Sequence, residues 1–269
     1  MYRRFLATSA LIVTLAAGTG FAQGQSYGRP ISSVTIGADN NSAENTFLQP
    51  TDPALSGGGR DQTLEFGDVI VGTNLDDLQI GLLGVDVMQG GKGGDVMIGG
   101  PEGGSTAPNA DRAFGDAGND IFIWAPGDGS DFFDGGKGTD VLVIGLIDRA
   151  DGSVAIDPDS KLPGVEVTNS PGFCRIVDPS TSTNAVSNLT ALGLDRLVQF
   201  VARGPADSFE AGDQTTDNGL RVTMHLRSVE ILVCSSREGG AVEVFDLTVS
   251  PARPLAFESL SARVQAIVR

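Results

Sequence analysis

Between residues 63 and 147 the apolar residues come in short triplets, and each triplet follows an aspartate. Asp68 precedes Val69-Ile70-Val71, Asp95 precedes Val96-Met97-Ile98, Asp120 precedes Ile121-Phe122-Ile123 and Asp140 precedes Val141-Leu142-Val143. Triplets of β-branched and aromatic residues are too short for helices and predict short strands. The segments between them are rich in glycine, which suits tight turns with positive φ and close backbone approach. The middle residue of each triplet is expected to point inward, so that Ile70, Met88, Met97, Phe122, Phe133 and Leu142 form one apolar stack.

The pattern is periodic. Asp68, Asp77, Asp86 and Asp95 lie nine residues apart. Asp111 follows after sixteen, Asp120 after nine, Asp131 after eleven and Asp140 after nine. Residues 99–109, with two prolines and four glycines, read as a loop that divides the repeat into two arrays, 68–95 and 111–140. Some copies depart from the rule. Leu75 stands where a glycine is expected, Gln79 occupies an apolar position, and the copy ending in Asp111 lacks the glycines.

The flanks differ in pattern. Residues 23–62 are rich in Gly, Ser, Asn and Pro, contain one strand-like stretch at 31–36, and read as a flexible arm. From residue 148 onward the period ends and ordinary strand patterns begin, at 164–168, 173–177, 197–202, 220–234 and 241–249. Residues 255–268 suit a short terminal helix. A repeat stack needs a covered end, so 148–269 is expected to be a β-rich cap.

Composition narrows the partners. The formal charge is −16, and acidity of this order repels nucleic acid and anionic lipid. Residues 1–22 read as an export signal: Arg3 and Arg4, an apolar run over 5–17, then small residues before Gln23. That run is too short to span a bilayer, and no later stretch is long enough. The expected location is secreted, extracellular or periplasmic, in a bacterium. In an exported protein Cys174 and Cys234 suggest one disulfide, the alternative being two buried thiols. The single histidine, His225, excludes an HExxH zinc site, and neither a G-x-S-x-G elbow nor a phosphate-binding loop occurs.

The copies 90–98 (GGKGGDVMI), 135–143 (GGKGTDVLV), 115–123 (GDAGNDIFI) and 81–89 (GLLGVDVMQ) resemble the RTX, or haemolysin-type, calcium-binding nonapeptide G-G-x-G-x-D-x-U-x. The resemblance covers residues 63–147 in register. It implies an all-β fold, a parallel β-roll followed by the β-rich C-terminal region, in which turns and strands alternate and several Ca²⁺ ions sit between stacked turns. It implies metal ligation by Asp68, Asp77, Asp86, Asp95, Asp111, Asp120, Asp131 and Asp140, with aspartates two repeats apart flanking one ion. Carbonyls of Gly91, Gly93, Gly136 and Gly138 would complete the shells. Without metal such carboxylates repel, so folding is expected to require calcium. A metal-free solenoid with solvated aspartates is the alternative. In function, a non-enzymatic calcium-binding surface, adhesion or envelope protein stands against a secreted hydrolase whose catalytic part lies in 148–269. Activity lost on substituting Asp195, His225 or Glu230 would favour the hydrolase.

Overall fold

The computed structural model describes residues 29–36, 68–82, 85–100, 110–150, 153–177, 189, 192–203 and 221–269. The expected export signal, nearly all of the expected arm and most of the expected 99–109 loop lie outside the described residues. The protein is all-β, with mixed parallel and antiparallel pairing.

Each aspartate-led triplet becomes a strand. Following β1 (Ser33–Ile36), these are β2 (Val69–Val71), β3 (Asp77–Ile80), β4 (Val87–Lys92), β5 (Val96–Ile98), β6 (Arg112–Ala117), β7 (Ile121–Trp124), β8 (Phe132–Asp134) and β9 (Val141–Ile144). Short pairs follow, β10 (Leu146–Ile147), β11 (Arg149–Ala150), β12 (Ser153–Val154) and β13 (Val165–Glu166). Then come β14 (Gly172–Val177), β15 (Arg196–Ala202), β16 (Arg221–Arg227), β17 (Ile231–Ser235), β18 (Val242–Asp246) and β19 (Arg253–Leu255). Helix α1 (Ala262–Ile267) starts at Ser261, whose hydroxyl accepts from the Val264 N–H, and is shorter than the 255–268 expected.

The strands divide alternately between two sheets. One has the order β1-β3-β5-β7-β9-β17-β18-β19 and the other β14-β15-β16-β8-β6-β4-β2. Within the repeat every pairing is parallel. The pairs β4–β6 and β5–β7 run straight across the 99–109 insertion, so the expected division into two arrays does not hold. The insertion does not interrupt the sheets.

The middle residues of the triplets meet between the sheets, as expected. Ile70, Met88, Ala113 and Phe133 from one sheet pack with Met97, Phe122 and Leu142 from the other. Burying each such side chain contributes roughly 1.5–3 kcal/mol. Gln79 is also buried; its side-chain Nε2 donates to the Gln89 carbonyl at 2.8 Å, while its Oε1 accepts no hydrogen bond.

The two sheets differ on their outer faces. The flanking residues of β3, β5, β7 and β9 are apolar, and a second cluster covers them with Leu162, Val165, Leu260, Val264 and Ile267. In the other sheet β4, β6 and β8 carry polar flanking residues while β2 keeps Val69 and Val71, and Val71, Gln89 and Arg112 are exposed there.

Apart from the short pairs β10–β13 and β11–β12, the C-terminal strands join the two main sheets. The predicted strand 220–234 is two strands, broken at Ser228, whose φ is +49°. β16 pairs parallel to β8, and β17 pairs parallel to β9. Antiparallel strands then complete each sheet. The open edges of β8 and β9 present unpaired main-chain groups, and these strands satisfy them. Cys174 of β14 and Cys234 of β17 form a disulfide with Cα atoms 6.1 Å apart, joining the two sheets.

Candidate functional site

Every strand of the repeat begins on an aspartate or directly after one. Along one edge Asp77, Asp95, Asp120 and Asp140 stand at the starts of β3, β5, β7 and β9. Along the other edge Asp68, Asp86, Asp111 and Asp131 stand at the starts of β2, β4, β6 and β8. All of these aspartates are buried.

They form two ladders. On the first edge the Asp77 N–H donates to Asp95 Oδ1, the Asp95 N–H to Asp120 Oδ1 and the Asp120 N–H to Asp140 Oδ1, each at 2.8 Å. On the second edge the Asp68 N–H donates to Asp86 Oδ1 at 2.6 Å, that of Asp86 to Asp111 Oδ1 at 2.7 Å and that of Asp111 to Asp131 Oδ1 at 2.9 Å. The expected pairs two repeats apart are therefore brought together, and Asp86–Asp111 and Asp95–Asp120 join them across the insertion.

The second carboxylate oxygen differs from the first. Oδ2 of Asp86, Asp95, Asp120 and Asp140 is buried and accepts no hydrogen bond. At Asp95 and Asp120 this oxygen lies over the first glycine of its own turn, Gly90 or Gly115. A carbonyl of the next turn stands over the same glycine. The Gly115 oxygen is 3.0 Å from where a Gly90 Cβ would be, and the Gly135 oxygen is 2.5 Å from the corresponding point on Gly115. Gly93 and Gly138 have φ of +124° and +148°, conformations that a side chain would strain. Gly91 and Gly136 also turn with positive φ.

Burial raises these carboxyls. It pushes Asp95 up to about 7, Asp120 to about 8, Asp140 to about 7 and Asp86 to about 7, and the neighbouring aspartates add repulsion at Asp86, Asp95 and Asp120. Asp77 is different. Burial works against its ionisation too, but donors outweigh it: the Thr73 N–H and hydroxyl, and the hydroxyls of Ser33 and Ser32. Its carboxyl is held below the usual range. The β1 strand thus closes this ladder with hydroxyl groups, and Asp77 has its hydrogen bonds filled.

Compared with known proteins, the chain matches no family model, no curated protein and no solved structure.

At the other end the ladder continues beyond the repeat. The Asp140 N–H donates to Oε2 of Glu230 at 2.8 Å. In the sequence Glu230 stands out only as a residue whose substitution would test a hydrolase. The signal was present nevertheless: Glu230 precedes Ile231-Leu232-Val233 as Asp140 precedes Val141-Leu142-Val143. His225, the lone histidine, lies in β16 opposite Phe132, and its main-chain N–H donates to the Asp131 carbonyl at 2.8 Å.

A cleft of about 680 Å³ flanks the first edge, between the turns and α1. Arg263 of α1 crosses it. Its guanidinium donates to Asp76 Oδ2 at 2.6 Å and to the carbonyls of Arg29, at 2.5 Å, and Gly94. Arg29 pairs with Asp76 Oδ1 at 2.8 Å. Among the described residues no three His, Cys, Asp or Glu side chains gather as a metal-binding group. A hard cation placed between two turns would therefore draw on single carboxylates and main-chain carbonyls, donors of the kind that calcium accepts in variable number.

Proposed function

We propose that this chain is an exported calcium-binding protein whose residues 63–147 fold as a β-roll around Ca²⁺, with a structural, adhesive or envelope role. The observation that carries the reading is the row of buried Oδ2 atoms on Asp95, Asp120 and Asp140, which accept no hydrogen bond. A buried polar atom without a partner costs about 1–3 kcal/mol, and more when charged. A row of them along one edge, with those of Asp95 and Asp120 facing a glycine and a neighbouring carbonyl, suits cations intercalated between turns.

Strand spacing supports the same reading. Paired strands lie about 4.7–4.9 Å apart, and calcium–oxygen bonds run about 2.3–2.6 Å, so an ion can bridge adjacent turns. Asp95, Asp120 and Asp140 are the principal ligands on the first edge and Asp86 on the second. Asp77, with its donors already in place, serves the N-terminal end of the ladder. The reading of export rests on residues 1–22. No helix among the described residues is long and apolar enough to cross a membrane.

The test is metal counting after dialysis of the wild-type protein and of D95N, D120N and D140N. The proposal expects several bound calcium ions in the wild type and fewer in each variant. Equal calcium content in all four proteins would overturn it.

A further inference from the structure

The C-terminal segment 224–233 repeats the geometry of the coil before it. Leu226 lies opposite Phe133 and Arg227 opposite Asp134, so Ser228 follows in the register of Gly135. Ile231 and Leu232 lie opposite Val141 and Leu142, which puts Glu230 in the register of Asp140. The main-chain bonds repeat as well. The Gly135 N–H donates to the Arg227 carbonyl at 3.0 Å, as the Gly72 N–H donates to that of Gln89 at 2.7 Å. The Ile231 N–H donates to the Asp140 carbonyl at 3.0 Å, as the Val141 N–H donates to that of Asp120 at 2.9 Å.

The turn itself is shorter. Two steps separate Ser228 from Glu230, whereas five separate Gly135 from Asp140. Glutamate has one methylene more than aspartate, and its carboxylate still reaches the Asp140 N–H. Asp195 fixes this compact turn by accepting from the Ser228 N–H at 2.7 Å. The Ser228 carbonyl stands over Gly135, in the place that the Gly115 carbonyl takes over Gly90. Asp140 is fully buried there, with its Oδ2 unpartnered.

We infer that the turn Ser228–Glu230 forms a further divalent-cation site with Asp140, one whose ligands come from two segments about ninety residues apart. The inference rests on the calcium reading above and extends it to residues outside the repeat. The donors are Asp140 Oδ2, the Ser228 carbonyl and the Glu230 carboxylate. Cation binding there locks β16 and β17 onto β8 and β9, so calcium governs docking of the C-terminal region as well as folding of the repeat.

Calcium titration of full-length wild type and E230Q by calorimetry tests this. Glutamine keeps an oxygen to accept the Asp140 N–H but loses the charge. The expected result is one ion fewer in E230Q, with the other sites retained. Equal stoichiometry and affinity in the two proteins would overturn the Glu230 site while leaving calcium binding by the repeat intact. A wild type that binds no calcium would overturn both. Should E230Q not fold, amide exchange in the wild type decides the matter. Slowing at 228–231 at the same calcium concentration as at 135–140 supports the site, and calcium-insensitive exchange at 228–231 contradicts it.

Discussion

The main-chain N–H of Asp95 donates to Oδ1 of Asp120 at 2.8 Å, although the two are 25 residues apart and an insertion separates them. One carboxylate oxygen thus fixes the register of neighbouring coils, while Oδ2 of the same Asp120 accepts nothing. Under the proposed calcium binding each aspartate has one oxygen for structure and one for the ion, and the two roles can be separated by experiment.

Asp120→Asn separates them directly. The asparagine oxygen can still accept the Asp95 N–H, and its amide carries no buried charge. Without metal at pH 8 the variant should be more stable than wild type, by on the order of 1–3 kcal/mol, because a buried unpartnered carboxylate is gone. With calcium the order should reverse. Urea denaturation in EGTA and in calcium measures both, and an unchanged calcium-dependent gain would count against ligation by Asp120.

The metal-free protein should lose stability as pH rises. Burial pushes Asp95, Asp120 and Asp140 up to about 7, 8 and 7 in the folded protein, against 3.8 for an ordinary aspartate carboxyl. Their folded values are raised, so the folded state binds more protons between those limits. Their contribution is fully present below pH 4 and is lost as pH passes through 7 to 8. Melting temperature in EGTA should fall across that window, and saturating calcium should flatten the decline. A metal-free protein equally stable at pH 5 and pH 8 would contradict the burial of these carboxyls.

Much of this was legible in the chain, because one residue type did two things at a fixed interval. An aspartate before an apolar triplet marks both a turn end and a strand start, and β2 to β9 follow from that rule. Triplet polarity follows the sheet in most coils, Val69-Ile70-Val71 being apolar throughout although it lies in the sheet with polar flanks. Val96-Met97-Ile98 and Val141-Leu142-Val143 are apolar throughout, whereas Arg112-Ala113-Phe114 and Phe132-Phe133-Asp134 have polar flanks, and the former lie in the doubly covered sheet. Glu230 escaped the rule because its turn has no glycine and its acid is one methylene longer. Continuity across 99–109 was hidden too, since pairing depends on where the strands return and not on the length of the loop. The pairing of Arg263 with Asp76 spans 187 residues and leaves no local signal.

Arg263→Ala should be among the more damaging substitutions outside the repeat. Arg263 and Asp76 are both buried, and the pair ties α1 to the turn before β3. Removing one partner of a buried ion pair typically costs about 3–5 kcal/mol. Arg29, the other partner of Asp76, is exposed and should matter less. Denaturant midpoints of R263A and R29A give the comparison, and equal effects would show that burial is not what gives the Arg263 contact its weight.

Reduction of Cys174–Cys234 should weaken the junction of the two sheets. The bridge spans 60 residues, and a loop of that length corresponds to about 4 kcal/mol in the chain-entropy account. Thermal melts in calcium, with and without reductant, should show a lower midpoint for the reduced protein. An unchanged midpoint would mean that the sheets hold together without the staple.

The most direct test is calcium titration of the protein lacking residues 1–22, followed by circular dichroism and calorimetry and reversed with EGTA. The account predicts saturable binding of several ions, at concentrations of about 10⁻⁴–10⁻³ M, with a gain in strand signal that EGTA removes. Absence of binding in that range, with a strand signal indifferent to calcium and EGTA, would contradict it.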